Sequence, residues 1–500
     1  MTALLTGCAQ VDPASDFRRA SQWITERTAA GEVYDPSTEA TIQERIAALM
    51  SHGLTADEAV QVALLNNPGF QAIFQDIGVS RAEVVQSGLL SNPSLTTLIQ
   101  FPEGGGRAKL SFGLAQQLSD LWQIPIRKKI AESELERTVL SVAQRAIQVS
   151  AETRTKYYEL VASRRLVKLA DENFRQLERT LDVAAKRFAA GEANLLEVNL
   201  VKITVLETRV DQLAVARDSR IAEFALARVL GVGRNPTELV AADELPTPRA
   251  ELPVDDVLLE RARVRRVDAR MAELAIDAAE DELLKQCRLI FPNVTVGLEV
   301  ERSERRALPG RDVLADTARA SLRNGALTAP DIQTRAERRK ERRQEIDAVF
   351  GPSFDITLPV FDQNQAQIAK ARFTLARRAK EYDELLETVE AEIRTAAASA
   401  RSANELAALY RDQVLPQAAA NVESARALYQ AGQQGILTVI EAETTLLGHR
   451  KRNVELARAY ALAMVELDAA TAGGVNDPGT PSDDGAGSSG TAPEPQEEVR

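Results

Sequence analysis

Between Gly113 and Gly191 the chain has no glycine and a single proline, Pro125. A stretch that long without helix breakers favours one continuous helix. From Pro125 to the next glycine it would run roughly 65 residues, on the order of 100 Å at about 1.5 Å per residue. That is several times an ordinary globular helix, so the 500 residues do not divide into the several compact cores that length alone would imply. Aromatic residues at 4% and charged residues at 27% fit long helices with solvated flanks. From Pro359 to Gly432 glycine is again missing, and the one further proline, Pro416, predicts a local adjustment of a second long helix.

The chain also repeats itself. Phe188-Ala189-Ala190-Gly191, with Leu195-Leu196-Glu197-Val198 after it, returns 241 positions later as Tyr429-Gln430-Ala431-Gly432 and Ile436-Leu437-Thr438-Val439. Upstream of each glycine runs a seam of spacings 3, 4, 3 and 4: Phe174, Leu177, Leu181, Ala184 and Phe188, then Leu415, Ala418, Val422, Ala425 and Tyr429. Such spacing describes coiled-coil packing. Each half therefore predicts a long helix, a glycine-marked turn and a returning helix, over about 196–231 and 437–472.

Two strand-like segments precede each long helix. Leu95, Thr97, Ile99 and Phe101 alternate with Ser94, Thr96, Leu98 and Gln100, and Leu110, Phe112 and Leu114 alternate with Lys109, Ser111, Gly113 and Ala115. In the second half Val294, Val296, Leu298 and Val300 alternate with Asn293, Thr295, Gly297 and Glu299, and Phe354, Ile356, Leu358 and Val360 alternate with Asp355, Thr357 and Pro359. Alternation of period two places an apolar face against a polar one, either in a spanning barrel or in a small sheet with one wet side. Four strands cannot close a membrane barrel, and an open edge in lipid leaves backbone groups unpaired at several kcal/mol each. If the strands meet lipid, the chain must pool them with copies of itself. Phe101, Trp122, Phe291 and Phe361 lie near the strand ends, where an interfacial aromatic girdle would sit.

Other classes of function lose ground on composition. A net charge of −12 provides no general basic surface for phosphates, so nucleic acid is not an expected partner. Two cysteines, Cys8 and Cys287, and two histidines, His52 and His449, are too few and too dispersed for a disulfide framework or a zinc site. No metal site or cofactor is expected. The sequence has no Gly-x-Ser-x-Gly, Walker loop or His-Glu-x-x-His, and no enzymatic activity is expected. No apolar run is long enough for a spanning helix.

The opening Leu5-Thr6-Gly7-Cys8 resembles a bacterial lipobox, which makes Cys8 a candidate for acylation; an ordinary thiol is the alternative. Residues 1–7 are too short for a complete signal peptide, so a truncated or late-assigned start is expected. The remaining divisions are an N-terminal segment 8–53, which the lipobox reading makes periplasmic, a first repeat 54–235, a linker 236–253 and a second repeat 254–472. A long loop 302–350 in the second repeat carries Arg335, Arg338, Arg339, Arg342 and Arg343, either solvated or facing anionic headgroups. The Gly-, Ser-, Pro- and acid-rich tail 473–500 is expected to be disordered.

Strand pair, very long helix, glycine turn and returning helix, twice over and behind a lipobox, resembles the TolC-like outer-membrane efflux family, in its lipoprotein branch. The likeness covers about 54–472. Its local phrases are Leu54-Thr55-Ala56-Asp57-Glu58-Ala59-Val60 before Asn66-Asn67-Pro68, Gly88-Leu89-Leu90-Ser91-Asn92-Pro93, and Leu358-Pro359-Val360-Phe361-Asp362. The resemblance implies a mainly α protein with a small β part. It also implies a homotrimer whose four strands per chain make a 12-stranded barrel in outer-membrane lipid, continued by a periplasmic coiled-coil α-barrel. Function would be passive conduction, docked to a periplasmic adaptor protein and an inner-membrane pump. The family pattern places the periplasmic gate at Leu437, Thr438 and Glu441, where only Glu441 keeps a carboxylate, and makes Tyr429 a fastener of neighbouring helices. The turns would be adaptor-contacting tips: Gly191, Glu192, Ala193 and Asn194 in one half, Gly432, Gln433, Gln434 and Gly435 in the other. Without the resemblance, Glu441 reads as solvation of a helix face. The same architecture also serves type I protein secretion, and a soluble periplasmic coiled-coil scaffold is the alternative of a different class.

Overall fold

The computed structural model describes residues 10–28, 30–36, 39–101, 108–191, 194–233, 239–289, 293–304, 322–325 and 346–473. Cys8, Glu192, Ala193, Phe291, most of the 302–350 connection and the tail after Gly473 lie outside them. Helix accounts for 74% of the described residues. The first half contains α1 (Ala14–Thr28), α2 (Glu39–Met50), α3 (Ala56–Asn66) and α4 (Pro68–Ser87), then β1 (Ser94–Gln100), β2 (Lys109–Gln117), α5 (Asp120–Ala189) and α6 (Leu195–Val229). The second contains α7 (Asp255–Arg265), α8 (Val267–Arg288), β3 (Val294–Glu304), β4 (Ile346–Ile356) and α9 (Gln365–Leu409). A π-turn (Tyr410–Val414), α10 (Leu415–Gln430) and α11 (Ile436–Ala470) complete it. The returning helices α6 and α11 are each 35 residues long and begin 241 positions apart.

Two expectations shift. Helix α5 runs for 70 residues and includes Pro125 in its second turn, at the cost of the one ladder bond its N–H would have made to the Leu121 carbonyl. The fourth strand is Ile346–Ile356, so Leu358 and Val360 fall beyond it and Ile346–Phe350 are drawn from the expected loop. Asp347 and Val349 interrupt the simple apolar alternation there, which hides those residues from a pattern search. Pro416 acts as expected, through an identifiable device: the Leu415 N–H reaches five residues back to the Tyr410 carbonyl. One widened turn before the proline accommodates the ring and the lost donor.

The described residues of Gly78–Arg137 and Glu273–Glu381 form one compact unit, and those of Pro13–Ile77, Thr138–Ala272 and Tyr382–Arg500 form the other. Each draws on both halves of the sequence. In the first, β1 to β4 form an antiparallel sheet in sequential order. Its register aligns Leu95 with Leu114, Phe112 with Val300, Leu114 with Leu298, and Val296 with Phe354. One face is thus mostly apolar, with Leu95, Ile99, Leu110, Phe112, Leu114, Val294, Val296, Leu298, Val300, Phe350, Phe354 and Ile356, interrupted by Thr97, Gln116 and Arg302. The opposite face carries Ser94, Thr96, Gln100, Lys109, Ser111, Glu299, Glu301, Ser353 and Asp355, with Leu98 and Val349 among them and Lys109 and Glu301 paired at 2.7 Å. The apolar face is open: Leu95 is 72% exposed and Phe354 70%. Pro352 lies in β4, an edge strand, where a missing donor is tolerated.

In the helical unit, Leu258 and Ala262 of α7 pack with Ile393, Ala396, Ala397 and Ala400 of α9 and Leu467 of α11. The alanines allow close approach of helices that have few large side chains to bury. Arg154 of α5 joins Asp57 and Asp468, each at 2.9 Å, tying α5 to α3 and α11.

The start of α5 is fixed by Asp120, buried at 1% exposure, whose carboxylate accepts from the Ser91 N–H (2.7 Å) and the Arg127 guanidinium (3.0 Å). Burial alone would raise its pKa, but the Ser91 hydrogen bond and the Arg127 charge outweigh it and hold the carboxyl below its usual range. A depressed folded-state pKa contributes stability above the unfolded value, near 4, that is lost as pH falls through the folded one. Asp120→Ala is expected to lower stability by about 1–3 kcal/mol at neutral pH. In thermal unfolding followed by circular dichroism, the difference from wild type should shrink below about pH 4.

Candidate functional site

The two hairpin turns are built alike. Gly191 (φ +76°) and Gly432 (φ +70°) both take the left-handed conformation that ends a helix, and each donates its N–H three residues back, to Phe188 and Tyr429, both at 3.0 Å. After Gly432, Gln433 bonds the Leu428 carbonyl at 3.0 Å, completing a Schellman motif. Only glycine occupies that conformation without a Cβ penalty. The first turn leads into α6 through Asn194, whose side-chain oxygen accepts the Glu197 N–H at 2.9 Å. Asn194 is therefore a helix cap as well as an exposed tip residue. The second turn enters α11 at Gly435, which has no side chain to cap with. Gln433, Gln434 and Gly435 are exposed.

Below the turns the hairpins pack on each other. Ala184 of α5, Val201 of α6, Ala425 of α10 and Ile436, Val439 and Ile440 of α11 make one buried cluster, with Leu181, Val198 and Tyr429 against it. Within the expected seams Leu177, Ala184, Ala418, Val422 and Ala425 are buried, whereas Phe188 is 43% exposed and leaves the pattern in the last turn. Tyr429 joins the hairpins: its hydroxyl accepts a hydrogen bond from Arg187, and that guanidinium stands 5.0 Å from the ring centroid.

The gate candidates divide by helix face. Leu437 and Glu441 are exposed and Thr438 is half-buried, with its hydroxyl bonded to Gln434 at 3.3 Å. Glu441 has no hydrogen-bond or ion-pair partner among the described residues. Thr438 and Glu441 line a cleft of about 600 Å³ with Gln417 and Asn421 of α10 and Thr445 and His449 of α11. Gln413 and the π-turn bound its far end, where the Tyr410 hydroxyl meets His449 Nδ1 at 3.2 Å. Glu443, two positions from Glu441, faces the other way and pairs with Arg426 at 2.8 Å. That hydrogen bond holds the Arg426 guanidinium above its usual value. Sequence reasoning did not find Arg187, Arg426, Glu443 or the polar lining of the cleft. Gln413, Gln417 and Asn421 recur every four residues, as do Glu441, Thr445 and His449, and that spacing was the available signal for the lining. No signal along the chain pairs Arg187 with Tyr429.

A sheet apolar on one face, joined to helices of 70 and 45 residues with paired hairpin turns, is the protomer fold of outer-membrane channels. The family described as outer membrane efflux protein matches residues 59–232 and 258–473, and the chain belongs to it. The chain is similar to OpmQ of Pseudomonas aeruginosa, a pyoverdine export outer membrane protein, with 26% identity over 325 residues that span 64% of this chain and 60% of OpmQ. It is also similar to the cation efflux system protein CusC of Escherichia coli K12, with 22% identity over 361 residues and 69% of each chain. Among solved structures, CusC superposes with a TM-score of 0.63 at 18% identity over 84% of this chain and 92% of that one. The open state of the Neisseria gonorrhoeae MtrE outer membrane channel gives 0.62 at 15% identity over 84% and 89%. These structures share the fold.

Tyr429→Phe keeps the ring and removes the acceptor for Arg187. The free energy of local opening should fall by about 1 kcal/mol. Hydrogen exchange should quicken in 181–191 and 422–436 while the sheet is unchanged.

Proposed function

We propose that three copies of the chain form an outer-membrane exit duct that conducts small molecules or ions passively from periplasm to exterior. An adaptor protein and an inner-membrane pump would supply the cargo and the energy. The observation that carries this reading is the register-locked sheet with one largely apolar, open face and, among the described residues, two edges without a strand partner, β1 and β4. Strands β3 and β4 are 11 residues long, the length a tilted membrane strand requires. Joining β4 of one copy to β1 of the next satisfies both edges. Three copies give twelve strands, with the Lys109, Glu299 and Glu301 face lining the lumen. Acylation of Cys8 would add a lipid anchor.

At the periplasmic end, three copies of Glu441 would form an acidic ring that favours cations. Leu437 narrows the same mouth, and Tyr429 holds it through Arg187. Gly191, Glu192, Ala193, Asn194, Gly432, Gln433, Gln434 and Gly435 are the surface offered to the adaptor. The two named relatives are described for pyoverdine and for cations, which supports a duct that takes whatever its pump delivers.

Images of detergent-extracted particles should show a threefold tube; recovery as a monodisperse monomer without detergent would overturn the reading. In planar bilayers Glu441→Gln should lower the cation-to-anion permeability ratio, and an unchanged ratio would remove Glu441 from the constriction.

A further inference from the structure

The linker between the two halves is pinned at both ends. At its start, the Leu54 N–H bonds the Val240 carbonyl and the Ala242 N–H bonds the Leu54 carbonyl, both at 2.8 Å, and the Asp243 N–H bonds the Tyr157 hydroxyl at 3.0 Å. The Asp243 carboxylate accepts the Ala56 N–H at 2.7 Å, and Arg164 bonds the Leu239 carbonyl. At its end, the backbone N–H and carbonyl of Arg249 pair with the Asn404 amide, each at 2.9 Å. Pro246 and Pro248 stiffen the span between these anchors. A segment held this way is a fixed wall, and behind it lies a cleft of about 510 Å³ bounded by α5, the π-turn and α11. That volume is typical of sites for small molecules.

The cleft is amphipathic. Val161, Leu245, Ala407 and Val454 give it apolar surface, continuous with the buried contact of Ala162, Leu169 and Val454. Arg164, Arg165 and Lys168 of α5 and Arg411 of the π-turn bring cations to it, in a chain whose net charge is −12. Two of these are engaged, Arg164 with Leu239 and Arg411 with Asp412 at 2.7 Å. Arg165 and Lys168, one helical turn apart, are exposed and have no hydrogen-bond or ion-pair partner among the described residues. Of the two lining carboxylates, Asp243 is occupied by Ala56, and Glu244 has no partner among the described residues. The unengaged side chains therefore sum to two cations against one carboxylate. The adjoining π-turn is a helix distortion that recurs at functional sites.

We propose that this cleft binds a small organic monoanion with an apolar body. The anionic group sits at Arg165 and Lys168, and the body lies over Val161, Leu245 and Val454. Bound there, the ligand ties the linker to the helices on its other side. The site is independent of the channel reading, since none of its residues belongs to the sheet or to the hairpin tips.

The test uses the full chain in a neutral detergent with 4-iodobenzoate as the probe and the uncharged 4-iodobenzamide as its control. Calorimetry should show saturable binding of one benzoate per chain, with no matching signal from the amide. The double variant Arg165→Gln/Lys168→Gln should weaken binding about tenfold or more, and Lys168→Arg should retain it. Glu244→Gln should tighten it. Iodine anomalous scattering should place the ring over Val161 and Val454. Equal binding of acid and amide, indifference to the double variant, weaker binding in Glu244→Gln, or no saturable binding at millimolar probe would each overturn the proposal. The substituted side chains are exposed, so an unchanged helical circular-dichroism signal is the expected control.

Discussion

Backbone hydrogen bonding in the four-stranded sheet is the constraint on which the rest of the structure depends. Once Leu114 is opposite both Leu95 and Leu298, every second side chain is committed to one face, and a slip of one residue in any pair would turn an apolar row toward the polar side. The register therefore creates the open, largely apolar face, and among the described residues the sequential strand order leaves the outer sides of β1 and β4 without a strand partner. Lipid can cover the first, but it cannot satisfy the second. The proposed assembly of identical protomers would answer both requirements together.

The helical part solves a different problem with modest materials. With few aromatic side chains, it relies on alanine-rich contacts such as Ala396, Ala397 and Ala400 against Leu467, and on ion pairs that fix which helices are neighbours. Arg154 does this for α3, α5 and α11. At the turns, the apolar cluster around Ala184 and Ala425 supplies the packing, and the Arg187 contact with Tyr429 supplies direction. Glu441 and Glu443 show how helix phase assigns roles: one carboxylate is spent on Arg426, and its neighbour two positions away stays exposed.

Much of this was legible along the chain because its signals are local. The absence of breakers predicted α5, and the duplicated glycines marked turns that share one backbone conformation. Alternation found β1, β2 and β3, and Pro416 foretold a disturbance that proved to be the π-turn. The fourth strand was mislaid because its first residues, Ile346 to Phe350, mix polar and apolar positions without a clean period. Glu441 was named from a family pattern, but the cleft it shares with Gln417, Asn421 and His449 joins positions from two helices, whose relative phase no single helix encodes.

By itself the sequence determined element type, element length and which side of each strand is apolar, because those depend on residues a few positions apart. Only the tertiary structure decided that each compact unit takes its elements from both halves. It alone decided that Arg187 meets Tyr429 across 242 positions and that the linker closes a cationic cleft against α5. Such contacts are set by how helices rotate and stack when they bury small side chains against one another, and that packing optimum belongs to the assembled bundle rather than to any stretch of chain.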